Sequence, residues 1–115
     1  MTNTPIDAAT FSHLQDTTDV EFVAELVDAF LADAPSLLQV LRSAHGAGDA
    51  VAFRRTAHSL KSNGNSFGAF EFSALARELE ETPLEALGDR VNAALDRLDH
   101  AYARAACALQ ELCRG

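Results

Sequence analysis

Apolar residues recur at steps of three and four along most of the chain, which is the spacing of one face of an α-helix. Between about Asp19 and Ala44 this spacing predicts an amphipathic helix, with apolar positions at Val23, Leu26, Val27, Phe30, Ala34, Leu37, Leu38 and Leu41. Pro35 removes one backbone donor, so the segment is expected to kink there or to divide into two helices. The helix should end within residues 45–48 (HGAG), because glycine accepts the left-handed conformation of a helix C-cap.

The same spacing predicts two helices in the middle of the chain. One covers about Ala50–Phe67, with Asp49 placed to cap its start and Gly68 placed to end it. The other covers about Ala69–Glu81 and is ended by the Thr82-Pro83 pair. The buried stripe of the first includes Gly64, whose missing side chain would allow another helix to pack closely.

A long regular pattern extends from about Asp89 to Leu112. Its apolar positions alternate steps of four and three residues: Val91, Leu95, Leu98, Tyr102, Ala105, Leu109 and Leu112. Heptads of this kind suit the shallow crossing angles of a helical bundle. A short helix over about Asp7–Leu14 would cover one end of the core. We therefore predict an all-α, antiparallel four-helix bundle with a short extra N-terminal helix. A long isolated coiled coil is the alternative, which the prolines and glycine pairs weaken.

Composition and length agree with one small helical domain. The chain has 115 residues and a mass of 12.3 kDa, enough for one core, and we expect one domain over residues 1–115 with its core at about 7–112. Ala and Leu, which favour helices, far outnumber Val and Ile. A net charge of −8 argues against a nucleic-acid partner, because binding to phosphates depends on Lys and Arg.

Two further features concern location and redox state. The sequence contains no apolar stretch of the roughly 20 residues that span a bilayer, and its first residues do not resemble a secretion signal, so we expect a cytoplasmic protein without membrane insertion. Cys107 and Cys113 are separated by a rise of about 9 Å on one helix, too far for a disulfide. We expect both to be reduced and partly buried.

Residues 50–70 form a basic segment in this acidic chain. The segment has no acidic residue but contains Arg54, Arg55 and Lys61, so that it carries +3 whereas the remaining residues carry −11. A local basic surface of this kind can receive one anionic group or an acidic pocket of a partner. A solvated helix face is the alternative interpretation.

His58 lies in the middle of the basic segment, one position from its apolar stripe, so its ring should sit at the edge of the core. The same helix face carries Arg54, Arg55, Lys61, Ser62 and Asn65. A neutral imidazole is a nucleophile near pH 7, and Lys61 could offset the charge of a phosphoryl group placed on it. A histidine with a purely structural role is the alternative from these residues alone.

The sequence around His58 resembles a family signature. Residues 57–69 (AHSLKSNGNSFGA) are similar to the motif A-H-x-L-K-[G/S] of histidine-containing phosphotransfer (HPt) domains, whose helix ends in an apolar residue followed by Gly-Ala. Residues 30–35 (FLADAP) resemble the F-L-x-D-A-P segment of that family, and residues 75–80 (LARELE) resemble the helix after the histidine helix. The resemblance covers about residues 7–112.

The resemblance implies a phosphorelay intermediate. His58 would accept a phosphoryl group from the aspartate of one receiver domain and pass it to another, and Lys61 would stabilise the transferred group. Arg54, Arg55, Ser62 and Asn65 are the predicted docking residues. The partner receivers of response regulators or hybrid sensor kinases would supply Mg²⁺, so this chain, expected to be a monomer, would need no cofactor and would have no net turnover of its own.

This sequence departs from the family at two positions near the site. Many members have Gly where this chain has Ser62; both are small, so a receiver could still approach the ring. A Gln in the following helix is often placed to reach the histidine, and the nearest match here is Glu80, to which we assign no site role on sequence alone.

Other chemistries lack their signatures. His13, His45 and His100 have no motif around them, and no H-E-x-x-H or E-x-x-H spacing indicates a zinc or di-metal site. The sequence has no P-loop for ATP. A module that binds a receiver or kinase without being phosphorylated is the main alternative function, and a metal-binding helical bundle is a third.

Overall fold

The computed structural model describes residues 5–114, with side chains as far as Cys113. Within this range the chain forms helices and no strand. The helices are α1 (Ala8–Thr17), α2 (Val20–Ala47), α3 (Ala50–Phe67), α4 (Phe70–Glu81), α5 (Leu84–Leu87) and α6 (Arg90–Arg114). In the described part of the chain, none of them combines the length and the apolar character that a bilayer-spanning helix needs.

Four of these helices form the bundle. Helix α2 packs on α3, α3 on α4 and α4 on α6, and α6 returns to pack on α2. The connections α2–α3 and α3–α4 are tight turns, so these successive helices run antiparallel. Helix α1 packs against α2 and α3. The predicted all-α, antiparallel four-helix bundle with a short N-terminal helix is confirmed.

Capping side chains define where the helices begin. Asp7, Asp19 and Asp49 precede α1, α2 and α3, and each carboxylate accepts a hydrogen bond from a backbone N–H in the first turn of its helix. Gly48 and Gly68 end α2 and α3 with φ values of 70° and 80°, a region that side chains disfavour. These caps explain why the predicted bounds of α3 agree with the structure.

Helix α2 continues through Pro35, so of the two expected outcomes, a kink or a division into two helices, the division is excluded. The proline leaves the Leu31 carbonyl without its usual intrahelical donor, and the Tyr102 hydroxyl on α6 donates to that carbonyl instead. The one-turn helix α5, between Pro83 and Gly88, was not predicted. Four residues are too few for apolar spacing to reveal a helix.

The C-terminal end of α6 also differs from the prediction. Val91, Leu95, Leu98 and Leu109 are buried as the heptad pattern requires, but Leu112 is exposed. Helix α6 extends to Arg114 near the described end of the chain, where the core no longer covers the last heptad position. Cys107 and Cys113 are free thiols, and both are exposed rather than partly buried.

Aromatic residues fill the space between the four helices. The Phe30 ring lies 5.4 Å from that of Phe67, 6.0 Å from that of Phe72 and 5.7 Å from that of Tyr102, measured between centroids. These four side chains come from α2, α3, α4 and α6. They fix α3 and α4 against each other, and the candidate site lies on these two helices.

Candidate functional site

His58 lies on the outer surface of α3, beside the buried stripe of that helix. Its neighbour Ala57 and the following Leu60 are fully buried, whereas the His58 side chain is 58% exposed. Anchoring by the buried stripe holds the backbone of this turn in place while the imidazole remains open to solvent. The predicted position at the edge of the core is thus the position observed.

Glu80 of α4 connects His58 to Lys61. Its Oε2 lies 2.7 Å from Nδ1 of His58, and its Oε1 lies 2.6 Å from Nζ of Lys61. The Glu80 and Lys61 side chains are 20% and 24% exposed, so both are much less accessible than the imidazole. One carboxylate therefore bridges the histidine and the lysine that the sequence placed a turn apart.

The Glu80 carboxylate selects the tautomer of the neutral imidazole. Hydrogen bonds from Lys61 and, secondarily, from His58 lower the pKa of Glu80 below its ordinary value, so the group is a carboxylate at neutral pH. A carboxylate can only accept hydrogen bonds, so Nδ1 of the ring is the donor. In the neutral imidazole Nε2 then carries no proton. Nε2 is the nitrogen whose lone pair is available for chemistry.

A close contact between α3 and α4 brings Glu80 to the histidine. A Cβ atom added to Gly64 would lie 2.8 Å from Cδ2 of Phe72 and 3.3 Å from the Ala69 carbonyl oxygen, so a larger residue does not fit. The Ser73 hydroxyl on α4 donates to the Lys61 carbonyl on α3, at 2.9 Å. The interpretation of Gly64 as a helix-packing residue agrees with this geometry.

The predicted docking residues lie along the exposed side of α3. Arg54, Arg55, Ser62 and Asn65 are all exposed. Arg54 and Glu80 both line a hollow of about 330 Å³ between α3 and α4, and Asn65 and Lys61 line another of about 440 Å³. Among the described residues, the side chain in hydrogen-bonding distance of the His58 ring is that of Glu80. The four docking residues thus lie before and after the histidine on the exposed side of α3.

Glu80 is the site residue that sequence reasoning missed. It lies 22 positions from His58, and the contact depends on how α3 and α4 are rotated about their axes, which periodicity does not specify. Its sequence signal was its position in α4, close to the glutamine that the family places near the histidine. The basic segment is also less isolated than its sequence indicated, since Glu80 neutralises Lys61.

The other histidines lie outside this site in the described part of the chain. Across the described residues, no group of three or more His, Cys, Asp or Glu side chains is arranged to hold a metal ion. His13 and His100 are exposed, and His45 lies in the last turn of α2. On this surface Glu80 lies within hydrogen-bonding or ion-pairing distance of both His58 and Lys61.

Comparisons with known proteins concern the fold and the family of this chain. The family model described as the Hpt domain matches residues 25–113. The crystal structure of histidine-containing phosphotransfer protein B from Pseudomonas aeruginosa PAO1 superimposes with a TM-score of 0.87, at 27% sequence identity, and the match covers 98% of this chain and 97% of that one. No curated protein sequence matches the chain. Because the family model spans most of its length, this chain belongs to the Hpt domain family.

Proposed function

We propose that this protein is the histidine phosphotransfer intermediate of a phosphorelay. His58 accepts a phosphoryl group from the aspartate of one receiver domain and passes it to another receiver. The observation that carries the proposal is an exposed imidazole whose Nδ1 is held by Glu80, so that Nε2 is the available nucleophile. The family membership and the similarity to a histidine-containing phosphotransfer protein support the same function. The chain acts as a monomeric cytoplasmic phosphocarrier without net turnover.

The imidazole neither gains nor loses a proton during the transfer step. The Nε2 lone pair attacks the phosphorus of the receiver's aspartyl phosphate, and a P–N bond forms as the P–O bond to the aspartate breaks. The aspartate leaves as a carboxylate. Nδ1 keeps its proton, so the phosphorylated ring is cationic and forms an ion pair with Glu80. Mg²⁺ bound to the receiver would neutralise the phosphoryl oxygens during transfer.

Docking uses the exposed side of α3. Arg54 and Arg55 precede the histidine by one turn, and Ser62 and Asn65 follow it by one and two turns. The two arginines provide positive charge toward the acidic site of a receiver, and the small Ser62 leaves room for a receiver to approach the ring. Lys61, held beside the ring through Glu80, offsets the charge of the phosphoryl group.

The test is transfer from a phosphorylated receiver to the purified protein. Wild-type protein should acquire acid-labile, alkali-stable phosphate, and His58→Gln should acquire none while unfolding at nearly the same temperature, because the exposed ring contributes little packing. Replacement of His13, His45 or His100 should leave the labelling unchanged. A protein that binds the receiver tightly but takes up no phosphate would instead be a regulatory binding module.

Lys61→Ala tests the second residue of the site. Loss of one ammonium group near the phosphoryl group should slow transfer about tenfold, the effect of about 1.4 kcal/mol of charge stabilisation. Arg77→Ala removes another cation from the neighbouring helix, where Arg77 pairs with Glu81, and should leave the transfer rate unchanged. Equal rates for wild type and Lys61→Ala would show that Lys61 has no role in transfer.

A further inference from the structure

The contact between Glu80 and His58 changes in character when the imidazole is phosphorylated. When the unmodified ring is neutral, the contact is a hydrogen bond from Nδ1 to a carboxylate, with 2.7 Å between Oε2 and Nδ1. Transfer of a phosphoryl group to Nε2 leaves the proton on Nδ1 and makes the ring a cation. The hydrogen bond, whose acceptor is already ionised, then becomes an ion pair between groups already in contact, because the charge of the ring adds Coulombic attraction.

We propose that Glu80 keeps phosphorylated His58 in its cationic form and thereby keeps the phosphoryl group ready for transfer to the next acceptor. This inference rests on the proposed function, because it concerns the same phosphohistidine. Glu80 acts here as a positioning residue, since it contacts the imidazole and the reacting bond is at Nε2.

The chemical reason is the leaving group. When the P–N bond of a cationic phosphoimidazole breaks, both electrons go to Nε2 and a neutral imidazole departs, with its proton still on Nδ1. If the ring first loses that proton to water, an imidazolate must depart, which is a much poorer leaving group. The acid lability of phosphohistidine has this origin. By holding the proton, Glu80 makes His58 a carrier that releases its phosphoryl group readily, whereas a deprotonated phosphohistidine would store it.

The surrounding charges offer no substitute for Glu80 in the described part of the chain. On α3, the cations Arg54, Arg55 and Lys61 cannot accept a proton from Nδ1. On α4, Glu81 pairs with Arg77. From α2, Arg42 points to α6, where Asp96 and Asp99 hold it, and on α1 the carboxylate of the N-cap Asp7 accepts hydrogen bonds from Thr10. Of these carboxylates, Glu80 is the one that contacts the ring.

Lys61 adds to the stability of the Glu80 carboxylate, which is ionised above about pH 5 even at the ordinary pKa of 4.5. Its ammonium lies 2.6 Å from Oε1, while Oε2 faces the imidazole. The pKa of Glu80 is accordingly lowered, first by the hydrogen bond from Lys61 and then by that from His58. A glutamine at this position would keep the size and could still accept a hydrogen bond from Nδ1, but it would lack the charge. Glu80→Gln therefore isolates the charge from the shape.

The experiment measures the lifetime of phosphohistidine as a function of pH. Wild type, Glu80→Gln and the matched control Glu81→Gln are labelled with potassium phosphoramidate, which needs no protein partner, and loss of phosphate is followed by ³¹P NMR between about pH 5 and about pH 10, a range that brackets histidine titration. His58→Gln, treated in the same way, gives the background from the other histidines. Circular dichroism verifies that each variant is folded.

Loss of phosphate should slow as pH rises in every protein, because the ring loses its proton. Without the carboxylate, the midpoint of this change should lie about one pH unit lower in Glu80→Gln, so that at pH values between the two midpoints its phosphohistidine lives about three- to tenfold longer than that of wild type. Glu81→Gln should coincide with wild type. The ¹⁵N shifts of the labelled ring should show Nδ1 protonated to higher pH in wild type than in Glu80→Gln.

Two results would overturn the inference. The first is an unchanged midpoint in Glu80→Gln. The second is a shift that disappears when Lys61→Met is the common background, because the lifetime would then reflect release of Lys61 toward the phosphoryl group. Since phosphoramidate labels the ring without a receiver, these outcomes are separate from failure of the proposed function, which is a receiver that transfers no phosphate to His58.

Discussion

The Tyr102 hydroxyl of α6 donates a hydrogen bond to the Leu31 carbonyl of α2, with 3.2 Å between the two oxygens. Leu31 is four residues before Pro35, so its carbonyl is the acceptor that the missing proline N–H leaves unpaired. The same tyrosine ring packs on Phe30 and Phe72. The carbonyl left unpaired in α2 thus accepts a hydrogen bond from a side chain of α6, and this bond joins α6 to the middle of α2.

Removal of this hydroxyl should destabilise the protein by about 1 kcal/mol, the usual net value of one hydrogen bond that leaves an acceptor unpaired. Tyr102→Phe keeps the ring contacts and removes only the bond. In the Pro35→Ala background, where the backbone N–H is restored and can serve Leu31, the same substitution should cost less. Urea unfolding of the two single variants and the double variant measures this coupling. Strictly additive effects would show that Tyr102 does not compensate for the proline.

Tyr102 should also make the free energy of unfolding decrease at alkaline pH. Burial raises the pKa of Tyr102 above its ordinary value of 10.0, which means that the folded state favours the neutral phenol. This contribution is present below about pH 10 and is lost as pH rises through the raised pKa of the folded state. Stability of wild type should therefore fall more steeply above pH 10 than that of Tyr102→Phe, as measured by unfolding at a series of alkaline pH values.

Sequence periodicity predicted the four long helices and the bundle because burial of one face is a local property of each segment. The continuity of α2 could not be predicted, since it depends on Tyr102, which lies 71 residues from Leu31 in the chain. Leu112 was assigned to the seam by its heptad position, yet it is exposed. Periodicity describes the face of a helix but does not say where the neighbouring helices stop.

Gly64 tests the close contact that supports the site. An added Cβ would lie 2.8 Å from Phe72 and would also collide with the Ser73 hydroxyl, which donates to the Lys61 carbonyl. Gly64→Ala should therefore destabilise the protein by about 1–3 kcal/mol, the usual effect of overpacking a core. It should also weaken the contact between Glu80 and His58, which is observable as a change in the imidazole ¹⁵N shifts.

Gly46 provides the matched control, because it also lies in a helix but has no atom within 4 Å of an added Cβ. Gly46→Ala should stabilise the protein by about 0.5–1 kcal/mol through helix propensity. Thermal unfolding of both variants compares them directly. Equal effects of the two substitutions would contradict the structural role assigned to Gly64.

Glu80 should make the free energy of unfolding depend on pH in the acidic range. Its folded-state pKa lies below the ordinary value of 4.5, chiefly because Lys61 and then His58 donate hydrogen bonds to it. Its contribution is therefore present above about pH 4.5 and is lost as pH falls through the lowered pKa. Between neutral pH and the acid transition, Glu80→Gln should lose less stability than wild type does. Glu81→Gln, which removes a charge from an exposed pair, should retain the wild-type slope in urea unfolding at each pH.

The histidine, the lysine and the exposed face around them were accessible from sequence because i+3 and i+4 neighbours share a helix face. The role of Glu80 could not be predicted from sequence, because it arises from the packing of α4 on α3. The negative charge of Glu80 also distinguishes this site from a site with a glutamine at the same position. The part of the site that depends on tertiary structure thus fixes which nitrogen of the neutral imidazole in the local part carries the proton.

Ser62 tests the direction from which a receiver approaches His58. It is exposed one turn beyond the histidine on the same face of α3, so a partner that reaches Nε2 must pass close to it. Ser62→Gly should transfer normally at a stability cost of about 0.5 kcal/mol, whereas Ser62→Tyr and Ser62→Arg should fold normally and block docking by their size.

Ser12→Tyr, at an exposed position of α1, controls for the bulk of the side chain alone. The measurement pairs receiver-to-protein transfer with thermal unfolding for each variant. Normal transfer by Ser62→Tyr would place the docking face elsewhere on the bundle, because a tyrosine one turn from the ring leaves no room for a receiver on this side.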